Sequence, residues 1–317
     1  MKILMAILLT GLITSGVTFW LVGSQLKAKQ PTSFVQPNLQ DMQKYSLLAP
    51  EVLAVKNEDL RVNFVPLRQK LRELVNAWGE NFGFYFEYLP TGTSIGVHEK
   101  NNFYGASLVK VPLVMAFIKA DRETNLDIDN TKVVLRSEDL DPGFGDLYKK
   151  GAGFELTLRQ AVELTLTDSD NTAARILAAR VPIDQYNAIY NNLDLEIDTK
   201  DNEIILTPKS YTSIMKALFY SSILNSEDSQ YILTLLSQTK FSDKLPNPIT
   251  KDIKVAHKIG NYENKVFQDC GIIYLPNKPY ALCMMSQFNE TLTTERMVSI
   301  SRIVYQYLTT GKIFKNN

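Results

Sequence analysis

The chain has 317 residues, of which 45% are apolar and 21% are charged. It is therefore long enough to bury a sizeable core, and its length predicts one large or two interleaved globular domains. Lysine plus arginine balances aspartate plus glutamate at 34 each, so no basic surplus indicates a nucleic-acid partner. The two histidines, His98 and His257, favour structural roles over a histidine-based metal site.

An apolar segment near the start predicts a membrane-targeting element. Residues 3–23 are 21 consecutive uncharged positions, which as a helix span about 31 Å, roughly one hydrocarbon core. Trp20 near the outer edge of this segment favours an uncleaved anchor within residues 1–29. A signal peptide cleaved near Ser24 is the alternative. Residues 30–59 are polar, contain three prolines and are typical of a linker.

The globular domain is predicted at residues 60–317 and begins with a helix and a hairpin. Residues 60–78 show helical spacing of apolar side chains. Residues 83–89 and 94–98 have strand propensity and are separated by a Pro-Thr-Gly-Thr turn. A second helix is predicted to begin near Ser107.

The middle of the chain, roughly residues 104–235, is predicted as a helical insert. Residues 135–153 carry several acids among turn residues; their spacing fits no calcium loop, so a solvated loop is expected. Thr157 is a predicted N-cap of a helix that stops before Ser169-Asp170-Asn171. Small polar residues between two helices favour a capping role when considered alone.

After residue 251 the pattern changes to strands at residues 254–260, 270–275 and 280–288, followed by a helix at 293–308. The strands from both ends of the sequence predict one antiparallel sheet covered by the first and last helices. Cys270 and Cys283 flank a predicted hairpin. A disulfide and two buried thiols are both compatible with this spacing, because register is not fixed by sequence.

Ser107-x-x-Lys110 places a hydroxyl and an amine on one helix face, since residues three apart are neighbours there. A lysine half-buried under an apolar face accepts a proton more readily, so the pair is suited to nucleophilic catalysis. The same Ser-x-x-Lys spacing recurs at Ser24, Ser213 and Ser237. The match at Ser107 is distinguished by two further motifs that lie later in the chain.

These motifs are Ser169-Asp170-Asn171 and Lys258-Ile259-Gly260, in that order after Ser107-x-x-Lys110. Together with the Phe-x-x-Ala-Ser-Leu-x-Lys helix start, they resemble those of the penicillin-recognising serine hydrolases, most closely class A β-lactamases, over residues 65–310. The resemblance implies an α/β (α+β) fold with a five-stranded antiparallel sheet flanked by helices and an inserted all-helical subdomain. It implies no metal or organic cofactor.

The resemblance also implies a role for each residue that matches a motif. Ser107 is the implied nucleophile and Lys110 the base that takes its proton. Ser169 relays that proton to the leaving nitrogen, with Lys258 beside it. Asn171 binds the substrate amide and positions Lys110.

The implied oxyanion hole is formed by the backbone N–H groups of Ser107 and Asn261, next to Gly260 in the substrate-binding strand. One departure from the family pattern lies in this strand. Family members have threonine or serine where this chain has Ile259, and that hydroxyl helps to hold a substrate carboxylate. Either Lys258 binds the substrate carboxylate alone, or the natural ligand lacks that carboxylate.

A second departure concerns release of the acyl group. Class A β-lactamases carry a Glu-x-x-Leu-Asn loop whose glutamate activates water, and no such motif stands between Asn171 and Lys258. The sequence that begins at Glu203 is the nearest match to this motif, so Glu203 is a candidate deacylation base. The apolar residues after Glu203 are interpreted more simply as a lead into a helix capped at Thr207. Slow hydrolysis of an acyl-enzyme is therefore expected.

The leading hypothesis is an anchored serine acyl-hydrolase or acyl-transferase outside the cytoplasm, acting on β-lactams or peptidoglycan-type peptides. A true class A β-lactamase and a catalytically idle module that binds cell-wall fragments are the alternatives.

Overall fold

The computed structural model describes residues 62–124, 127–200 and 203–313. The predicted anchor at residues 3–23 and the linker at 30–59 lie outside the described residues. Within the described ranges, none of the helices combines the length and apolar character that a membrane crossing requires.

The described strands are, in chain order, β1 (Phe82–Tyr88), β2 (Thr93–Val97), β3 (Phe103–Tyr104), β4 (Lys132–Val134), β5 (Glu155–Thr157), β6 (Asp198–Lys200), β7 (Glu203–Leu206), β8 (Val255–Tyr262), β9 (Val266–Ile273) and β10 (Tyr280–Ser286). The described α-helices are α1 (Val65–Asn76), α2 (Lys110–Thr124), α3 (Leu158–Thr167), α4 (Asn171–Ala178), α5 (Ile183–Asn191), α6 (Pro208–Phe219), α7 (Ser226–Ser237) and α8 (Glu290–Thr310).

A five-stranded antiparallel sheet forms the centre of the domain, in the spatial order β2-β1-β10-β9-β8. It joins strands from the two ends of the sequence, which confirms the predicted sheet. β8 lies at the edge, so one side of its backbone has no neighbouring strand in this sheet. That free edge is the one on which Lys258, Ile259 and Asn261 lie.

The central sheet separates two hydrophobic cores. On one face, α1 and α8 bury Leu71, Val75, Met297 and Ile300 against the strands. On the other face, helices of the insert bury a second cluster that includes Val111 of α2. Alternate residues of β9 and β10 face opposite cores, which explains why both strands are buried along their whole length.

The insert contains strands as well as helices. β4 pairs with β5, and β3, β7 and β6 form a three-stranded sheet. The apolar residues after Glu203 lead into a helix, as interpreted from sequence, and they form the strand β7. Its partner β3 lies about a hundred residues earlier in the chain. Thr207 caps α6 as predicted, accepting a hydrogen bond from the backbone N–H of Ser210 at 3.0 Å.

Cys270 and Cys283 are direct partners in the register of β9 and β10, and a disulfide joins them. Both side chains are buried beneath the insert-facing side of the sheet. The structure therefore selects the disulfide from the two possibilities that the sequence left open.

Both histidines have structural contacts. His98 Nδ1 lies 2.9 Å from the carbonyl oxygen of Phe82. His257 Nδ1 lies 2.6 Å from Asp269 Oδ1, and the backbone N–H of Leu245 donates to Asp269 Oδ2 at 2.9 Å. Asp269 is completely buried and thus connects β8, β9 and the segment before β8.

Replacement of Asp269 by alanine is expected to lower the free energy of unfolding by several kcal/mol, because each buried donor left without an acceptor costs about 1–3 kcal/mol. Urea denaturation measures the change. The matched control is Glu73→Ala on the exposed face of α1, expected to change stability by no more than about 0.5 kcal/mol. Equal stability of the two variants would contradict a structural role for the buried carboxylate.

Candidate active site

The candidate nucleophile Ser107 lies in a 3₁₀ turn, Ala106–Val109, that leads directly into α2. Ala106 has a φ of +46°, in the left-handed region that non-glycine residues rarely adopt. Such backbone strain persists only where the surroundings impose it. Here β3 precedes the turn and α2 follows it, and the buried side chain of Leu108 fixes the turn to the core.

Gln268 of β9 supports this turn, although no sequence motif singled it out. Its Nε2 donates a hydrogen bond to the carbonyl oxygen of Tyr104 at 2.7 Å, just before the nucleophile. A Cβ at Gly260 would lie 2.1 Å from Gln268 Oε1, so a larger residue there would displace the Gln268 side chain. Gln268 is fully buried, which is unusual for glutamine, and it lies before the strand predicted at residues 270–275, so no pattern in the sequence indicated its role.

Lys110, three residues after Ser107, begins α2 and is buried. Its Nζ donates to the carbonyl oxygen of Ser169 at 2.5 Å and to Asn171 Oδ1 at 2.6 Å, and lies 3.4 Å from Ser169 Oγ. Burial lowers the pKa of Lys110 to about 8, while Asp170 and Asp141 act in the opposite direction. An amine with this pKa is available as a base near neutral pH.

Ser169 lies in the turn between α3 and α4, with a φ of +58°. The cap of α4 is Asp170, whose carboxylate accepts hydrogen bonds at 2.9 Å from the backbone N–H groups of Ala173 and Leu147. The capping role expected for this tripeptide thus belongs to Asp170. Ser169 is left to present its hydroxyl and its carbonyl oxygen to the lysines.

Lys258 reaches the same hydroxyl from β8. Its Nζ donates to Ser169 Oγ at 2.7 Å and to the carbonyl oxygen of Ile259 at 3.2 Å. Burial lowers the pKa of Lys258 well below its usual value, and the nearby Lys110 lowers it further, while Asp269 opposes the shift. Two amines from distant parts of the chain therefore converge on one serine.

A cleft of about 320 Å³ opens over these groups. Four of the predicted site residues line it: Ser107, Ser169, Asn171 and Asn261. Further lining residues are Gly143, Phe144, Ile259, Glu263 and Asn264. The amines of Lys110 and Lys258 lie behind the cleft, buried and in contact with the serine hydroxyl that faces it.

The acidic loop at residues 135–153 is part of the site, which corrects its interpretation as a merely solvated loop. Asp141 Oδ1 accepts a hydrogen bond from Asn171 Nδ2 at 3.2 Å, and Asp141 Oδ2 pairs with Arg175 at 2.7 Å. Phe144 lines the cleft, and its carbonyl oxygen accepts from the backbone N–H of Asn171 at 2.9 Å. No local pattern indicates these contacts, because about thirty residues separate the partners.

Glu203, the candidate deacylation base, begins β7 opposite Lys200. It is not among the described residues that line the cleft. The strand it begins contributes through its backbone: the carbonyl oxygen of Ile204 accepts a hydrogen bond from the N–H of Gly105 at 2.6 Å, close to Ser107. In the described part of the chain, no group of three or more His, Cys, Asp or Glu side chains is arranged to hold a metal ion.

The fold and this convergence of serines and lysines define a serine hydrolase of the β-lactamase type. The model of the beta-lactamase enzyme family matches residues 66–308, and the chain belongs to that family.

Two curated relatives are similar over most of their length. The chain is 22% identical to beta-lactamase BRO-1 of Moraxella catarrhalis over 237 residues, covering 69% of this chain and 75% of the relative. It is 24% identical to a beta-lactamase of Phocaeicola vulgatus over 246 residues, covering 68% and 76%. Among solved structures, the L158E mutant of PBP-A as an acyl-enzyme complex with penicillin G is 26% identical, with a TM-score of 0.70 over 77% of this chain and 96% of that chain.

Replacement of Asp141 by asparagine is expected to lower the pKa of Lys110 below about 8, because a carboxylate that favours the ammonium form is lost. The titration of Lys110 is measured by NMR of ¹³C-labelled lysine, with Lys110→Arg to assign the signal. Asp146→Asn is the matched control, since Asp146 lies in the same loop and pairs with Lys149 at 2.6 Å. A downward shift equal in both variants would contradict the specific influence of Asp141.

Proposed function

We propose that Ser107 attacks an amide or β-lactam carbonyl and forms a serine ester, the acyl-enzyme. The observation that carries this proposal is the convergence of Lys110 and Lys258 on the Ser169 hydroxyl, in the wall of the cleft that Ser107 also lines. A structural protein has no need of two buried amines around one hydroxyl, because burying them is unfavourable without a compensating role.

The proposed proton path runs from Ser107 to Lys110 and from Ser169 to the leaving group, and Lys110 Nζ lies 3.4 Å from Ser169 Oγ. The neutral amine of Lys110 takes the proton of the Ser107 hydroxyl as the new C–O bond forms. The C–N bond then breaks, and the Ser169 hydroxyl gives its proton to the leaving nitrogen. From a peptide that nitrogen departs as a free amine, whereas after opening of a β-lactam ring it stays attached to the acyl group. Ser169 is reprotonated from Lys110, so the site returns to its starting protonation state with the acyl group on Ser107.

The oxyanion that forms when Ser107 attacks the carbonyl needs two hydrogen-bond donors directed at the same oxygen. The backbone N–H groups of Ser107 and Asn261 are suited to the role, because Ser107 lies at the start of a helix and Asn261 in an edge strand. Asn171 holds Lys110 through its Oδ1 and lines the cleft, where it is available to the substrate amide.

Release of the acyl group is expected to be slow. Glu263 is the carboxylate among the described lining residues, and it is exposed and paired with Lys265 at 2.8 Å. Such a group is poorly suited to activate a water molecule over a buried ester. The acyl-enzyme is therefore the product that accumulates with a β-lactam, and transfer to water or another acceptor completes the reaction on peptidoglycan-type peptides.

A β-lactamase that hydrolyses its substrate rapidly is the second candidate. It is favoured by the names of the two curated relatives, both called beta-lactamases. It requires Glu203 or another group to act as the deacylation base.

Incubation of the full-length protein with penicillin G, followed by intact mass spectrometry, distinguishes these functions. We expect one penicilloyl adduct that persists for many minutes in the wild type and is absent in Ser107→Ala. Rapid penicillin loss without a lasting adduct would support the β-lactamase. Neither adduct nor penicillin loss would overturn acylation by β-lactams and favour a binding module for cell-wall fragments.

Glu203→Gln is the accompanying variant. The lifetime of its adduct is expected to match that of the wild type within about twofold, whereas loss of a general base prolongs it by about a hundredfold or more.

The proposed location is the outer side of the cell membrane, with residues 3–23 as the anchor. The length of that apolar segment and the Cys270–Cys283 disulfide support this location, since disulfides persist mainly outside the cytoplasm. Protease treatment of spheroplasts is expected to degrade the globular domain while a cytoplasmic marker survives. Protection of the domain until the membrane is lysed would contradict the proposed orientation.

A further inference from the structure

The cleft is poorly equipped to receive a negative charge. Among the described residues that line it, Glu263 alone has an acidic or basic side chain. Neither lysine nor arginine belongs to this lining set. An anion entering the cleft therefore meets the Glu263–Lys265 ion pair and no unpaired cation among the lining residues, because the amines lie behind Ser169.

Several hydrogen-bond donors near the cleft already have an acceptor within the protein. Asn171 Nδ2 donates to Asp141 Oδ1 at 3.2 Å, and Asn261 Nδ2 donates to Asn264 Oδ1 at 3.0 Å. Lys258 Nζ uses two of its N–H groups for Ser169 Oγ and the Ile259 carbonyl oxygen. It has one N–H left to offer, whereas a carboxylate has about four acceptor sites to satisfy.

Ile259 places a hydrocarbon side chain next to Lys258, where a substrate carboxylate would need hydrogen-bond donors. It follows Lys258 directly and lines the cleft. In the proposed reaction Ser169 gives its proton to the leaving nitrogen, and Lys258, the chain neighbour of Ile259, is bonded to Ser169. The group attached to that nitrogen is therefore expected in the part of the cleft that Ile259 lines. A hydrocarbon wall strips water from a carboxylate without replacing the lost hydrogen bonds.

Resting on the proposed function, we infer that the natural acyl donor carries no free carboxylate on its leaving-group side. The donor is an internal peptide amide, or a peptide whose terminal carboxyl group is amidated. This substrate class fits the apolar side chain of Ile259 in the cleft lining, the two hydrogen bonds that already occupy Lys258, and the lack of a lysine or arginine among the described lining residues.

The test compares penicillin G with its methyl ester on the full-length protein. The two compounds have the same acyl group and leaving nitrogen, and differ in the carboxylate attached beside that nitrogen. Acylation rates of Ser107 are followed by intact mass and divided by the rates of alkaline hydrolysis, which corrects for intrinsic reactivity. We expect the normalised rate for the ester to equal or exceed that for the free acid.

Ile259→Thr supplies the missing hydroxyl in a side chain that is also β-branched. It is expected to raise the acid-to-ester rate ratio by about tenfold, the effect of one hydrogen bond to a charged group. Ile259→Val, which keeps a hydrocarbon wall, is expected to leave the ratio unchanged within about twofold. Glu263→Gln, at an exposed position, is expected to raise the ratio about two- to threefold by removing a like charge.

A wild-type protein that reacts about tenfold or more faster with the free acid would overturn this inference and leave the proposed function intact. A ratio that Ile259→Thr does not change would also overturn it. Failure of both compounds to acylate Ser107 would remove the proposed function and this inference with it.

Discussion

Two buried lysine amines end beside the same serine hydroxyl, at 3.4 Å for Lys110 and 2.7 Å for Lys258. Burial lowers the pKa of each amine, and the charge of Lys110 lowers the pKa of Lys258 further. The burial required by this convergence makes Lys110 available as a base near neutral pH. The convergence also fixes three distant parts of the chain, since α2, the turn before α4 and the edge strand β8 must meet at Ser169.

The surrounding structure holds these three parts in place. Asp170 joins the turn to α4 and to the neighbouring acidic loop, and Asp141 of that loop orients Asn171. Gln268 links the central sheet to the backbone before the nucleophile, and Asp269 holds β8 and β9 together from the opposite face. The strained conformations of Ala106 and Ser169 persist because this network leaves the backbone no alternative.

We propose that the cleft forms an ester more readily than it releases one. The chain belongs to the beta-lactamase family, yet the candidate deacylation base Glu203 begins a strand of the insert, and Ile259 lines the cleft beside Lys258. Neither feature changes the contacts among Lys110, Lys258 and Ser169 on which the proposed acylation depends. The proposal that follows is an enzyme with a neutral peptide donor, whose acyl group is transferred slowly to water or to another acceptor.

The sequence by itself determined the central strands, most helices and the order of the three motifs, because these depend on local periodicity, capping residues and spacing. It also determined Ser107, Lys110, Ser169 and Lys258 as candidates. Tertiary structure alone decided the Cys270–Cys283 disulfide, the pairing of β7 with β3, and the parts played by Asp141 and Gln268. These depend on register and on contacts between residues far apart in the chain, which local patterns do not encode.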